Sequence, residues 1–211
     1  MSTFIHTEAD LAKALAALIA ADPRLCAALD KIGTVPLRRR PDGFEGLAGI
    51  VVAQQLSTAS ANAIFGRLQT ALDPLDPAAV LRARAPTLAR TGLSVAKIRA
   101  LKAVAKAIER NTLDLAALAA MPSEDAHRAL IAVHGIGPWT ADTYLLLCLG
   151  HADAWPAGDV ALQEAVRQAL TLRERPTAKA MGPLAEPWRP WRGVAARLLW
   201  AYYRAVKRPS S

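Results

Sequence analysis

The residues best placed to do chemistry lie between Leu130 and Asp142, which read LIAVHGIGPWTAD. Helical apolar spacing stops at His134. Gly135 and Gly137 stand at alternate positions, and Pro138 takes the first position of a new helix, the place proline tolerates best. Glycine lets main-chain N–H groups come close to a ligand because no Cβ intervenes. The start of a helix adds unpaired donors and a partial positive charge. Together they can seat a phosphate, which fixes a DNA backbone without reading its bases. An ordinary turn between two helices would carry the same glycines. Further on, Asp159 precedes VALQEAV and reads as an N-cap.

Charge is uneven around this segment. Residues 82–110 hold eight bases (Arg82, Arg84, Arg90, Lys97, Arg99, Lys102, Lys106, Arg110) and one acid, Glu109. Residues 129–166 hold no Lys or Arg but four acids, Asp142, Asp153, Asp159 and Glu164. A basic stretch beside an acidic one suits a polyanion binder that does carboxylate chemistry; a solvated helix face accounts for the bases equally well.

Helices must position these groups. Thr7 caps an expected helix over 7–21, with Leu11, Leu15, Leu18 and Ile19 on one face. A connector over 32–46 contains Arg38, Arg39 and Arg40. Two apolar segments, 46–56 and 58–72, meet near Gln54–Ser57, and helices follow near 77–84, 86–90, 94–110 and 114–120. Ser123 is expected to cap a helix over 124–133, and Pro138 to open one through about 149. A loop over 150–158 leads to helices near 159–170, 176–182 and 190–207.

Composition agrees with a helical chain. In 211 residues there are 46 Ala and 29 Leu against 20 Val plus Ile, so the expected class is all-α. A hydrophobic fraction of 53% argues against disorder, and 211 residues can bury a sizeable core. The net charge of +8 makes nucleic acid the first partner to consider. Cys26 and Cys148 cannot build a disulfide framework, a zinc ribbon or an iron–sulfur cluster. His6, His127, His134 and His151 lack metal-ligand spacing. No apolar run reaches the ~20 residues that span a bilayer, and the acidic N-terminus lacks a signal peptide's basic region. The expectation is a soluble protein of the cytoplasm, nucleoid-associated in a bacterium, with no membrane partner.

The run VHGIGPWTAD resembles the helix-hairpin-helix of DNA glycosylases in the helix-hairpin-helix–GPD superfamily. Three further pieces agree in order and spacing. Ala53–Ser57 (AQQLS) is similar to the loop that invades the minor groove. Trp155–Asp159 (WPAGD) is similar to the segment ending in the catalytic aspartate, 22 residues beyond Gly137. Arg189–Arg192 through Trp200–Tyr202 resembles the C-terminal helix of the 3-methyladenine DNA glycosylase II branch. The match covers about residues 35–205, and with about 35 residues before it the accessory N-terminal β-rich domain of some members of that branch is not expected.

The resemblance implies roles. Asp159 would stabilise the oxocarbenium charge that grows on deoxyribose as the base departs. Trp139 stands where bifunctional members carry a nucleophilic lysine, which implies a monofunctional enzyme; the nearest lysines in sequence are Lys106 and Lys179. Trp139 and Trp200, with Thr143 and Tyr144, would form the pocket for a flipped, positively charged alkylated purine. Thr143 stands where the branch often has Tyr. Gln55, with Leu56 and Ser57, would fill the gap left in the base stack. His134, Gly135, Ile136, Gly137 and Thr140 would face the DNA backbone. The main-chain carbonyls of Ile131, Val133 and Ile136 would hold a structural Na+ or K+, with no other cofactor. Arg38–Arg40, Lys97, Arg99 and Lys102 are candidate phosphate contacts.

The implied architecture is one glycosylase domain, 1–211, of two helical lobes. One spans about 37–170; the other combines 1–36 with 171–211. The active site would lie in a cleft between them, Asp159 and Trp139 on one wall and Trp200 on the other. The implied activity is release of alkylated purines from damaged double-stranded DNA by a monomer needing no protein partner. A glycosylase for oxidised guanine, a non-catalytic DNA clamp and an all-α adaptor are the competing readings. Whether Trp188 and Trp191 touch substrate or pack stays open.

Overall fold

The computed structural model describes residues 4–207. Among them the chain forms helices and no strand; a lone β-bridge joins Phe4 to His151. The helices are α1 (Glu8–Ala21), α2 (Cys26–Ile32), α3 (Gly43–Ala53), α4 (Thr58–Ala71), α5 (Pro77–Arg82), α6 (Ala85–Arg90), α7 (Val95–Glu109), α8 (Ser123–Ile131), α9 (Pro138–Tyr144), α10 (Val160–Ala169), α11 (Ala178–Ala185) and α12 (Arg192–Lys207). Among the described residues, no helix is long and apolar enough to cross a membrane. The chain divides into two compact units, one of residues 1–39 with 150–211 and one of residues 40–149.

This division corrects the expected boundary at residue 170. The stretch 150–169 belongs with the N-terminal helices. Ile5 N–H donates to Gly150 O at 2.7 Å, and the Phe4 ring packs on His151 with centroids 4.6 Å apart. Gly193 N–H donates to Ala152 O at 2.7 Å, and α10 packs along α12. These partners lie about 40 or 150 residues apart in sequence, beyond the reach of local patterning.

The first unit is built around α12, which buries Val194, Ala195, Ala196, Leu198 and Leu199 against α1, α2 and α10. Helix α1 brings Leu11, Ala14 and Leu18 to this core, and Thr7 and Asp10 close its first turn as a reciprocal capping box. Trp188 is fully buried, its ring edge-on to Trp155 at 5.5 Å, so it packs rather than awaits substrate. Its indole N–H donates to Asp22 Oδ2 at 2.7 Å. The Arg24 guanidinium bonds the same carboxylate at 2.8 and 2.7 Å.

Those bonds, led by Arg24, hold the Asp22 carboxyl below its ordinary range against the opposing effect of burial. The folded state therefore binds this proton more weakly than the unfolded chain. The contribution is complete above the ordinary aspartate value of about 3.9 and is lost as pH falls through the lowered folded value. An acid titration of unfolding should show a shallower decline for Asp22→Asn than for wild type; superimposable curves would contradict this.

The second unit centres on α3, which is buried from Phe44 to Val52 apart from Glu45 and packs on α4, α7 and α9. The helix approaches Pro41 so closely that a Cβ at Gly46 would lie 1.9 Å from the Pro41 carbonyl oxygen. Helix α8 starts at Ser123 itself, after Pro122 and without a side-chain cap, and ends at Ile131 rather than Val133. Helix α9 is followed by a wider, π-type turn over Leu145–Leu149 that buries four of its five residues.

Candidate functional site

In the second unit, α8, the turn 132–137 and α9 form the expected hairpin. Val133 O accepts the Ile136 N–H at 3.0 Å, closing the turn. Gly135 has φ +86°, and a Cβ there would lie 2.4 Å from Ala100 Cβ and 2.9 Å from Ala100 Cα on α7. Packing against α7 therefore dictates this glycine. Gly137 differs: it is the N-cap of α9, and a Cβ there would meet nothing within 4 Å. The open face of the turn lies on its side, and His134 is exposed beside it. Ile136 is buried, so its side chain anchors the turn and leaves only its backbone for contact.

Thr140 requires a correction. Expected at the DNA face, it is 2% exposed, and its hydroxyl accepts the Gln54 side-chain N–H at 2.8 Å. Gln54 Nε2 also donates to Gly135 O at 3.3 Å. Gln54, the C-cap of α3, thus clasps the hairpin to the loop that carries Gln55. No local pattern marks it, because its partners lie 81 and 86 residues away. Removing the clasp leaves a buried hydroxyl unpaired, a cost of about 1–3 kcal/mol. Gln54→Ala should speed amide hydrogen exchange across 134–141; exchange at the wild-type rate would contradict the clasp.

Gln55, Leu56 and Ser57 project from this loop and are exposed, Leu56 at 39%. Gln55 has φ +56°, the left-handed conformation, which turns the chain between α3 and α4. Ser57 caps α4 by accepting the Ser60 N–H at 3.2 Å, so it is bound into the scaffold. Lys97 Nζ donates to Val52 O at 2.8 Å and Lys102 Nζ to Ala83 O at 2.9 Å. Both are expected at phosphates from the sequence; they cap helix ends instead, where terminal carbonyls lack intrahelical donors. Burial lowers the Lys97 pKa. Arg39 is likewise engaged, its Nη1 2.7 Å from His6 Nδ1.

Trp139 is half-buried on α9. Thr143 is buried, its hydroxyl donating to the Trp139 carbonyl at 2.6 Å. Tyr144 is fully buried in the core of its unit, and burial pushes its phenol above the ordinary range. Tyr144 and Thr143 are both expected from the resemblance to line the base pocket. The reason is geometric: Tyr144 belongs to the core of its unit and Thr143 closes a hydrogen bond within α9, so both instead support the segment that carries Trp139.

In the first unit, Asp159 caps α10. Its Oδ1 accepts the Leu162 N–H at 2.8 Å and the Trp200 indole N–H at 3.1 Å. Trp200, expected on the wall opposite Asp159, therefore stands beside it, because α10 lies along α12. Both of these bonds fall on one oxygen. The loop before Asp159 is fixed as well. Asp159 N–H donates to Pro156 O at 2.9 Å, and the Gln163 side chain donates to Ala157 O at 2.8 Å. Trp155 donates to Met181 O at 3.1 Å. Arg192 forks onto Asp153 at 2.9 and 2.7 Å, with Arg189 on the same carboxylate at 2.9 Å. Gln163 gave no signal in the sequence, since a glutamine in a helix is unremarked until its loop partner is known. Trp191 is half-buried.

Residues 48–190 match the HhH-GPD superfamily of base excision DNA repair proteins. The chain belongs to this superfamily. Within it, the chain is 26% identical over 200 residues to the alkylbase DNA glycosidase-like protein mag2 of Schizosaccharomyces pombe, covering 92% of this chain and 94% of that one. It is 29% identical over 172 residues to a DNA-3-methyladenine glycosylase of Bacillus subtilis, covering 76% of this chain and 57% of that longer one. The structure resembles a Schizosaccharomyces pombe 3-methyladenine DNA glycosylase solved with abasic DNA. The TM-score is 0.83 at 25% identity, over 93% of this chain and 98% of the other.

Proposed function

We propose that this HhH-GPD protein is a monofunctional DNA glycosylase that releases alkylated purines from double-stranded DNA. The observation that carries the reading is Asp159, a carboxylate held by a helix N-terminus and the Trp200 indole. A pinned anion of this kind suits a reaction whose transition state is cationic. In a 3-methyladenine or 7-methylguanine nucleotide the base already carries positive charge. As the C1′–N bond breaks, its electron pair passes to the base, which leaves neutral. Positive charge moves to the sugar, where Asp159 stabilises it. Water then adds to C1′ and gives its proton to solvent, leaving an abasic site.

The indoles of Trp139 and Trp200 offer faces that attract a cationic purine over a normal one. Trp139 occupies the position of the lyase lysine, so no Schiff base forms and the strand stays intact. Gln55 and Leu56 fill the gap left by the flipped nucleotide, with Ser57 fixing the loop. Gly137 and His134 face the backbone. The carbonyls of Ile131, Val133 and Ile136 would hold Na+ or K+; Val133 O keeps a second lone pair beside its bond to Ile136. The enzyme works as a monomer on chromosomal DNA in the cytoplasm, without a protein partner. Methylated duplex DNA treated with the protein should break only after alkali. Breaks before alkali would indicate lyase chemistry, and none after alkali would overturn the glycosylase reading.

A further inference from the structure

Four cations on α7 and at its C-cap fall into two pairs. Lys97 and Lys102 are committed to carbonyl oxygens. Lys106 and Arg110, one turn apart at the end of α7, make no side-chain hydrogen bond or ion pair among the described residues, and both are exposed. They overhang a cavity of about 330 Å³ that also takes in Thr112, Val133 and His134. Alanines from α7 and α8 form its floor, and their small side chains are what leaves it hollow. Cations at a helix end suit the carbonyls there. That effect explains their sign but not the hollow or its continuity with the hairpin. Val133 and His134 belong to both the hairpin turn and the cavity lining, so the two are contiguous.

We propose that the groove is a second DNA-backbone site, holding sugar and phosphate of the strand that the hairpin seats. Lys106 and Arg110 meet phosphates, and the alanine floor meets the apolar face of deoxyribose. The size is at the small end for a ligand site and fits backbone rather than stacked bases. This deepens the glycosylase reading and rests on it. An acidic polypeptide is the other polyanion that could fit. The shared His134 favours DNA.

The test is equilibrium binding to a duplex carrying a tetrahydrofuran abasic analogue, between about 50 and 200 mM salt. Each phosphate contact contributes about one unit to the slope of log affinity against log salt. Lys106→Gln and Arg110→Gln should each lower the slope by about one, and the pair by about two. A neutral methylphosphonate at the contacted linkage should weaken wild type and leave the double variant unaffected. An unchanged slope in a double variant that melts like wild type overturns the groove and leaves the glycosylase reading standing. Competition for the groove by polyglutamate, with that unchanged slope, would assign it to an acidic polypeptide. Salt-independent binding by wild type itself would sink both.

Discussion

Asp159→Asn is expected to slow base release by roughly 10²- to 10³-fold, the scale on which a preorganised electrostatic contact acts. The folded state should survive. The amide oxygen of Asn can still accept the Leu162 N–H and the Trp200 indole N–H, which both fall on Oδ1 in the native side chain. Asn is also among the best N-cap residues. The substitution thus removes charge while keeping both hydrogen bonds. Asp159→Ala removes both, and should cost in addition about 0.5–2 kcal/mol of stability through the lost cap. The pair separates chemistry from scaffolding. Activity falls in both variants, while the melting temperature falls clearly only for Ala. If Asn retained wild-type release, the carboxylate would be a cap and nothing more.

The largest structural effect is expected at Gly135. A Cβ there would sit 2.4 Å from Ala100 Cβ and 2.9 Å from its Cα, on a backbone with φ +86°. Left-handed backbone costs an L-residue about 1–2 kcal/mol, and overpacking about 1–3 kcal/mol. Gly135→Ala should therefore lose roughly 2–5 kcal/mol, a large share of the about 5–15 kcal/mol that holds a typical domain together. It should also release the hairpin from α7 and weaken DNA binding. Ala100→Gly removes the methyl clash but leaves the close approach to the α7 backbone and the left-handed strain, so the double variant should recover only part of the loss. Thermal denaturation of the four proteins of this cycle tests the packing directly. A Gly135→Ala protein as stable as wild type would show that the turn yields at no cost.

The hairpin was legible in the sequence because its determinants are local: a glycine that must turn, a second at the N-cap of the next helix, and a proline at that helix's first position. Asp159 as a cap was legible for the same reason. Interactions across the chain were not. The bond between Trp200 and Asp159 spans 41 residues, and the Gln54 clasp spans 86. The position of 150–169 followed from partners at residues 4–5 and 193, which no periodicity announces. Charge was the least informative signal taken singly. Lys97 and Lys106 look alike in sequence, yet one ammonium caps α3 and the other overhangs a groove. Tyr144 likewise looks like a pocket aromatic because it directly follows Thr143, which stands where the branch often has Tyr; one position along a helix turns a side chain by about 100°, enough to send it into the core.

Release of alkylated purine bases from DNA can be observed without any variant. The most direct measurement is chromatography of the soluble products after the wild-type protein is incubated with methylated duplex DNA. Free 3-methyladenine or 7-methylguanine should appear, with normal bases retained in the duplex. Retention of every methylated purine in the DNA would contradict it.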